Sequence, residues 1–456
     1  MKILMTGATG LIGQKLGLFL VGQGHEMTVI SRNSQIAKRD LPFPCEVIEA
    51  DLMQTSIRLN TKFDVVINLM GESVAKGRWT DARKKLIVNS RVNATRHLIE
   101  SLAHPPKMIL GASAIGFYGS QNSQVLTEES SAGSDFLAGV CQSWEKELLK
   151  AEEKFGPQTK LNTIRIGIVL SRSGGALEKL LFPFRAGVGG ALANGKQMMS
   201  WIHIEDLVRM FSFIIEQNLA GTFNAVAPRP VSNLDFSKSL SSALSRPLGF
   251  RIPAVALKLL LGEFSTAVLG SQNVSSEKII KQGFQFKFEN IDMAFRQILE
   301  PFRSSAEVFE SEQFVPHKKD KIFEFFSQAK NLESLTPKTV RFQIRKMSTP
   351  EINLGTLIDY RIQVRGVPIF WRTLIDEWNP DSHFVDVQLK GPYSLWRHTH
   401  EFVDLPGGTL VRDCVHFRLP AGFLGWLFAG FYVRADVKKI FAFRRKVIFE
   451  KFCSNL

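Results

Sequence analysis

The chain is poor in the residues that staple or ligate. Its four cysteines, Cys45, Cys141, Cys414 and Cys453, are spread over 456 residues with no CxxC spacing. That excludes a disulfide framework and a cysteine-rich structural zinc site, and it predicts a reducing, cytoplasmic setting. Long apolar runs are also missing. Near the amino end Thr6, Gly7, Thr9 and Gly10 interrupt the apolar residues, so no signal-peptide core is expected. The longest late stretch, 421–433, contains three glycines and has about half the length of a bilayer span. No membrane span is expected, and no internal repeat or low-complexity tract is visible.

What is present belongs to a globular protein: 45% of residues are hydrophobic and 22% charged. At this length one hydrophobic core is not enough, and two or three domains are expected. The net charge of +14 is divided as +8 over 1–300 and +6 over 301–456, so no single basic tail carries it. Such a balance favours anionic partners: a phosphorylated cofactor, an acidic ligand or an anionic lipid surface. Nucleic acid is not expected, because the basic residues are dispersed and no recognition motif accompanies them.

Over the first 170 residues short apolar runs alternate with amphipathic helical stretches, the pattern of a doubly wound parallel sheet in the α/β class. Strands are expected at 2–6, 27–31, 47–49, 65–70, 108–112 and 162–170. A dinucleotide-binding domain is expected over 1–245, with a small extension over 246–300 that includes a helix at 254–261. A composition shift after Pro301 opens a second domain, 301–456, of antiparallel strands and a long helix at about 434–452. In it Ile358, Tyr360, Ile362 and Val364 alternate inward against Asp359, Arg361, Gln363 and Arg365 outward. Pro406, Gly407 and Gly408 mark a hairpin turn.

The opening MKILMTGATGLIG places Gly7, Gly10 and Gly13 directly after a strand and at the start of a helix. This spacing permits a tight turn, close approach of backbone amides to a pyrophosphate, and stabilisation of the anion by the helix N-terminus. Gly7, Thr9, Gly10, Leu11 and Ile12 are therefore candidate cofactor residues. The second strand ends with Ser31 and Arg32 rather than with an acid. A guanidinium there pairs with a 2′-phosphate, which favours NADP (NADPH) over NAD; a solvated loop charge is the plainer alternative. Asp51 and Leu52 are placed to meet the adenine, unless Asp51 caps its own turn. Asn68 to Gly71, Leu69 included, are placed to line the cofactor trench.

The glycine loop, the run GASAIGFYG at 111–119 and RIGIVL at 165–170 resemble the extended short-chain dehydrogenase/reductase superfamily. DFLAGVCQSWE at 135–145, GGAL at 174–177 and SWIHIEDL at 200–207 resemble its atypical epimerase-like branch, once described as cell-division inhibitor homologues. The resemblance implies a Rossmann domain that binds the cofactor, with Arg165 among the residues near it, and a small-molecule substrate. It also implies a Tyr followed four residues later by Lys, because the ammonium lowers the phenol pKa. Here the pair is missing. None of Tyr118, Tyr360, Tyr393 and Tyr432 is followed by Lys at that spacing, and Leu137 and Cys141 stand at the usual positions.

Three substitutes remain open. Ser113 either polarises a carbonyl or shapes a turn. Tyr118 is either catalytic or packed beside the nicotinamide, and Cys141 is either an acid or core. Trp144 and Glu145 are expected to hold the helix that normally bears the pair. Trp201 and His203 stand on the substrate side, with a satisfied core histidine the alternative for His203. The resulting expectation is an NADP(H)-dependent oxidoreductase or epimerase, and its rival is a catalytically silent NADP sensor. A homodimer follows only by analogy with the superfamily.

The second domain resembles the START-like (SRPBCC) helix-grip proteins through its opening strand 309–315, the helix 321–328, the segment 395–420 and the closing helix. That resemblance implies a hydrophobic or lipid-like ligand. Trp371, Trp378, Trp396, Phe370, Phe384 and Phe402 either fill a core or line a pocket. Arg444 falls on the apolar stripe of the last helix and needs a carboxylate partner or a ligand anion. The segment 422–433 either packs or touches a membrane surface. His398 with His400, and Cys414 with His416, make a metal site geometrically conceivable, but no metal is expected.

Overall fold

The computed structural model describes residues 1–302, 306–364, 366–380 and 382–453, apart from the side chains of Pro301 and Val364. Arg365, expected to face outward, lies outside the described residues, as does the side chain of Val364. By compactness the chain divides into one unit of Met1–Ser34 with Cys45–Glu300 and another of Gln35–Pro44 with Pro301–Leu456. Among the described residues no helix is long and apolar enough to cross a membrane.

The first unit is built on seven parallel strands: β1 (Lys2–Thr6), β2 (Glu26–Ser31), β3 (Glu46–Glu49), β4 (Val65–Asn68), β5 (Met108–Ala114), β6 (Lys160–Ile166) and β7 (Gly221–Ala225). Their order across the sheet is β7-β6-β5-β4-β1-β2-β3. The order reverses between β1 and β4, and ligands in open α/β sheets bind at the carboxyl ends of the strands beside such a point. Continuous apolar runs such as Ile3–Met5 and Val65–Ile67 are buried, as parallel strands covered on both faces require.

One expected strand is two. The 162–170 run breaks at Gly167, where a Cβ would lie 2.7 Å from the Ser200 carbonyl oxygen and from Val226 Cγ1. Beyond the break Ile168–Ser171 leaves the main sheet and pairs in parallel with Trp201–His203. Three helices matter for the site: α1 (Leu11–Gly22), α2 (Phe136–Phe155) and α3 (Ile204–Glu216). The expected helix at Ala254–Leu261 is also present.

The second unit carries seven antiparallel strands: β8 (Glu307–Val315), β9 (Gln343–Met347), β10 (Leu357–Val364), β11 (Val367–Asn379), β12 (His383–Lys390), β13 (Leu395–Leu405) and β14 (Gly408–Arg418). Their order is β8-β14-β13-β12-β11-β10-β9. The turn between β13 and β14 is the expected one, with Gly407 at φ +78°.

The closing helix α4 runs Gly422–Phe452 and so begins a full three turns before the expected start. Its three early glycines are outweighed by the packing of Trp426 and Gly430, which continue the buried stripe of Val437, Phe441, Arg444 and Ile448. Two aromatic clusters form its floor. Phe323, Phe326, Phe384 and Phe402 are buried together, and Trp371 sits edge-on to Trp396 with ring centres 5.2 Å apart. Phe370, expected among them, is half exposed on the other face of β11.

Candidate functional site

At the end of β1 the chain turns through Gly7 at φ +70°, where a Cβ would stand 2.5 Å from the Leu69 carbonyl oxygen. Gly10 N–H donates to Gly7 O at 3.0 Å. Gly13 lies so close to the turn that its Cβ would meet Gly7 O at 2.5 Å. Helix α1 starts at Leu11, and its N-cap, Gly10, offers no side-chain acceptor. The first-turn amides, Leu11 and Ile12 among them, are thus left for an anion. Thr9 and Gly10 are exposed at this point.

Beneath the loop Thr6 Oγ1 donates to Asn68 Oδ1 at 2.8 Å, and Asn68 Nδ2 donates to Thr95 Oγ1 at 2.8 Å. Trp144 Nε1 donates to the same hydroxyl at 3.0 Å. Met70 N–H also donates to Asn68 Oδ1, at 3.2 Å, so one buried amide sets the course of Leu69 to Gly71. Sequence reasoning missed Thr95, and it missed Arg91. A Cβ on Gly71 would lie 2.9 Å from the Arg91 guanidinium, which donates to Ile87 O at 3.1 Å and covers the Trp144 ring at 5.1 Å. Burial lowers the pKa of this guanidinium. Arg91 makes no ion pair among the described residues.

Past β2, Ser31 Oγ donates to Asn33 O at 3.3 Å, and Arg32 is exposed. Glu49, at the end of β3, accepts hydrogen bonds from the backbone and the hydroxyl of Ser34. Asp51 Oδ1 accepts from Met53 N–H at 3.0 Å, which is the turn-capping alternative. Leu52 corrects the expectation: its side chain is buried in the core with Leu4 and Ile30 and is not free to meet an adenine.

At the end of β5, Ser113 Oγ donates to Glu145 Oε1 at 2.6 Å. Arg165 clasps the same carboxylate, Nε to Oε1 at 3.0 Å and Nη2 to Oε2 at 2.8 Å. Its Nη1 donates to the Tyr118 hydroxyl at 3.0 Å, and that hydroxyl donates to Asn224 Oδ1 at 2.7 Å. Two expectations change here. Arg165 is a buried anchor between β6 and α2 with its donors committed, not a cofactor contact. Tyr118 is fully buried with its hydroxyl spent on two partners, and burial pushes its phenol above the ordinary value despite the nearby guanidinium. Cys141 is buried as well, which favours the core alternative. Burial, with Glu145 alongside, pushes its thiol up to about 11.

Trp201 and His203 are buried, not lining residues. Trp201 Nε1 donates to Arg229 O at 3.2 Å. His203 Nδ1 accepts from Glu205 N–H at 3.2 Å and so caps α3, its Nε2 meets Gln297 Oε1 at 3.1 Å, and its ring packs against that of Phe288, centres 3.8 Å apart and planes tilted by 34°. The core-histidine alternative is the observed one. Asp206, at the start of α3, accepts from Lys287 and Phe288 N–H, each at 2.9 Å.

In the second unit Arg444 finds protein partners, Asp413 Oδ1 at 3.5 Å and His400 Nδ1 at 3.2 Å. His398 and His400 sit on the face of β13 that pairs with Val415 and Asp413, whereas Cys414 pairs with Thr399 on the other face. The four residues therefore do not converge, since neighbours one apart on a strand point to opposite sides. Asp386 and Asp413 join the two histidines instead.

Residues 3–138 match the NAD dependent epimerase/dehydratase family, and residues 252–298 match a domain of unknown function, DUF1731. The chain is 35% identical to the epimerase family protein SDR39U1 homolog, chloroplastic, of Arabidopsis thaliana, over 66% of this chain and 87% of that protein. It is 34% identical to epimerase family protein YfhF of Bacillus subtilis, over 66% of this chain and 98% of that protein.

The chain belongs to the epimerase family. Among solved structures, human epimerase family protein SDR39U1 (isoform 2) with NADPH is similar with a TM-score of 0.59 and 29% identity, covering 66% of this chain and 99% of that one. In this epimerase-family protein the helix that usually bears Tyr and Lys carries Leu137 and buried Cys141, and Ser113, Glu145 and Arg165 form a hydrogen-bonded polar cluster.

Proposed function

We propose that the first unit is an NADP(H)-dependent oxidoreductase or epimerase-like enzyme working without the Tyr and Lys pair on a small carbonyl or alcohol. The observation that carries the reading is the Gly7 turn, a cradle that a Cβ would fill, opening on the uncapped start of α1. Gly7, Thr9, Gly10, Leu11 and Ile12 hold the pyrophosphate, Ser31 and Arg32 the 2′-phosphate, and Leu69 with Gly71 the trench wall. The NADPH carried by the human relative supports the same cofactor here.

When bound, the nicotinamide supplies or takes up hydride. The chain handles the proton. Ser113, itself buried, donates its Oγ–H to Glu145, so a proton that its oxygen takes from a substrate hydroxyl is matched by its own proton passing to the carboxylate; the reverse order serves a carbonyl. Arg165 keeps Glu145 in place for that exchange.

The test is nicotinamide absorbance with reduced cofactor and a panel of carbonyl compounds, where Ser113→Ala removes about 10²-fold or more of the rate and Arg32→Ala weakens NADP far more than NAD. Equal effects on both cofactors overturn the 2′-phosphate assignment. A second reading, a catalytically silent NADP sensor, is favoured by one specific observation: the two remaining acid candidates, Tyr118 and Cys141, are both buried with raised pKa values. Tight NADPH binding with no turnover across the panel selects it.

For the domains we assign 1–245 to the cofactor, 246–300 to a small extension and 301–456 to a START-like, helix-grip container for a hydrophobic ligand. The long helix over an antiparallel sheet with an aromatic floor supports the last assignment. Native mass spectrometry of the purified protein tests it, and a second unit that never retains an apolar molecule overturns it. The four dispersed cysteines support a cytoplasmic setting.

A further inference from the structure

Inside the second unit two carboxylates and two imidazoles meet beside the buried Arg444 guanidinium, with aromatic rings around them. Asp386 Oδ2 stands 3.4 Å from His398 Nδ1 and 3.1 Å from His400 Nε2. The opposite nitrogens of the same rings, His398 Nε2 and His400 Nδ1, each stand 3.0 Å from Asp413 Oδ1. Each imidazole is thus held between two carboxylates. We propose that Asp386, His398 and His400 form a binding site for one divalent first-row transition ion, with Zn²⁺ as the fitting occupant, and that Asp413 orients both imidazoles from behind.

Three observations carry this. The first is spacing. Ligand bonds of 2.0–2.2 Å in a tetrahedron place donor atoms roughly 3.3–3.5 Å apart; two of the three edges already measure 3.1 and 3.4 Å, and all three donor atoms lie within 4.8 Å of one another. The rings therefore need only a small adjustment to share one ion.

The second is hydrogen count. A neutral imidazole carries one N–H and one lone pair. Both nitrogens of His398 face carboxylate oxygens, so a neutral His398 always aims a lone pair at a carboxylate, in a site whose imidazoles are 5–8% exposed. A cation between Asp386 and the rings turns that repulsion into ligation. Arg444 is the competing arrangement, since its donation to His400 Nδ1 puts the ring proton on Nε2, toward Asp386. With the ion in place His400 donates from Nδ1 to Asp413 and Arg444 turns fully to Asp413, which lies 3.5 Å away.

The third is the support behind the rings. Imidazole ligands characteristically give their other N–H to a carboxylate, which fixes tautomer and ring orientation, and here one carboxylate serves both. Asp386 is also the most accessible member, at 16% against 6% for Asp413. Two imidazoles and a carboxylate suit Zn²⁺ or its neighbours better than Mg²⁺ or Ca²⁺, which prefer oxygen.

The experiment uses the full chain, stripped with a chelator and titrated with Co²⁺ and then Zn²⁺. Expected are visible Co²⁺ bands saturating at one ion per chain, their loss on adding Zn²⁺, and a Tm that rises with metal. Asp386→Asn, the least buried change, is expected to weaken binding by more than about 100-fold, beyond the 10–100-fold typical of losing a supporting carboxylate. Cys414→Ser is expected to leave it unchanged. X-ray absorption on Zn²⁺-loaded wild type reads the site without any variant: nitrogen and oxygen at 2.0–2.2 Å with no sulfur supports it. No Co²⁺ bands, equal affinity in Asp386→Asn, or a sulfur ligand at about 2.3 Å overturns it.

Discussion

Replacing Gly7 with alanine tests whether the tight turn or its closeness to Leu69 makes the cofactor cradle. At φ +70° an alanine is strained by about 1–2 kcal/mol. Its Cβ would also stand 2.5 Å from Leu69 O and 2.7 Å from Leu69 C, and these are backbone atoms held by Asn68 and Thr6. Reaching ordinary contact needs a shift of roughly 1 Å, which at overpacked sites costs about 1–3 kcal/mol. The expected total is about 2–5 kcal/mol.

Two other glycines separate these terms. Gly24 has φ +82° and nothing within 4 Å of a built Cβ, so Gly24→Ala should lose only the strain. Gly22, in the last turn of α1 with an equally empty surrounding and no positive φ, should be neutral or gain up to about 1 kcal/mol. Urea titration at constant m reads the stabilities, and calorimetry with NADPH reads the site. There Gly7→Ala should lose at least about tenfold in affinity, or 1.4 kcal/mol, and the other two nothing. If Gly7→Ala and Gly24→Ala cost the same and bind NADPH alike, the close approach to Leu69 is irrelevant and the cradle argument fails.

The remaining predictions concern the polar interior. Glu145→Ala leaves the buried Arg165 guanidinium unpaired and should destabilise by about 3–5 kcal/mol in denaturant titration; a loss below 1 kcal/mol would mean that solvent reaches it. Tyr118→Phe strands an Arg165 N–H and the Asn224 carbonyl, at about 1–3 kcal/mol, but should leave any turnover intact, and an inactive, well-folded variant would restore the phenol as the acid. His203 has a pKa lowered by burial, so below about 6.5 the unfolded chain takes up a proton that the folded one resists. Stability should fall as pH drops through that value, and His203→Asn, which keeps an N-cap, should flatten the slope measured by Tm against pH.

The layers of the fold were legible because apolar periodicity is local. Runs such as Val65–Ile67 and the alternation of Ile358 and Ile362 need no partner to be read. The glycine loop was legible for the same reason, its turn, strand and helix being contiguous. What escaped depended on distance in the sequence. The break at Gly167 is imposed by Ser200 and Val226, and the early start of α4 by the sheet that Trp426 meets.

Tyr118 and Arg165 looked like cofactor-side residues because their motifs sit beside the trench. Only the fold shows that their polar atoms face Glu145 and Asn224. Arg91 gave no signal at all, standing between two short helices with nothing nearby in the chain to mark it. Asp386 and Asp413 were passed over because a carboxylate on a strand looks solvated until its neighbours are known.

Cys141 makes the loss of the usual acid–base pair hard to undo. Its side chain is buried beside Ser113, with Glu145 alongside and Arg91 acting in the opposite sense, so a lysine grown there would enter a cramped space already holding a carboxylate and a guanidinium. Its extra length would press the helix away from the sheet. Restoring tyrosine at 137 and lysine at 141 therefore does not by itself rebuild an ordinary reductase, and the way back would have to begin by making room around Cys141.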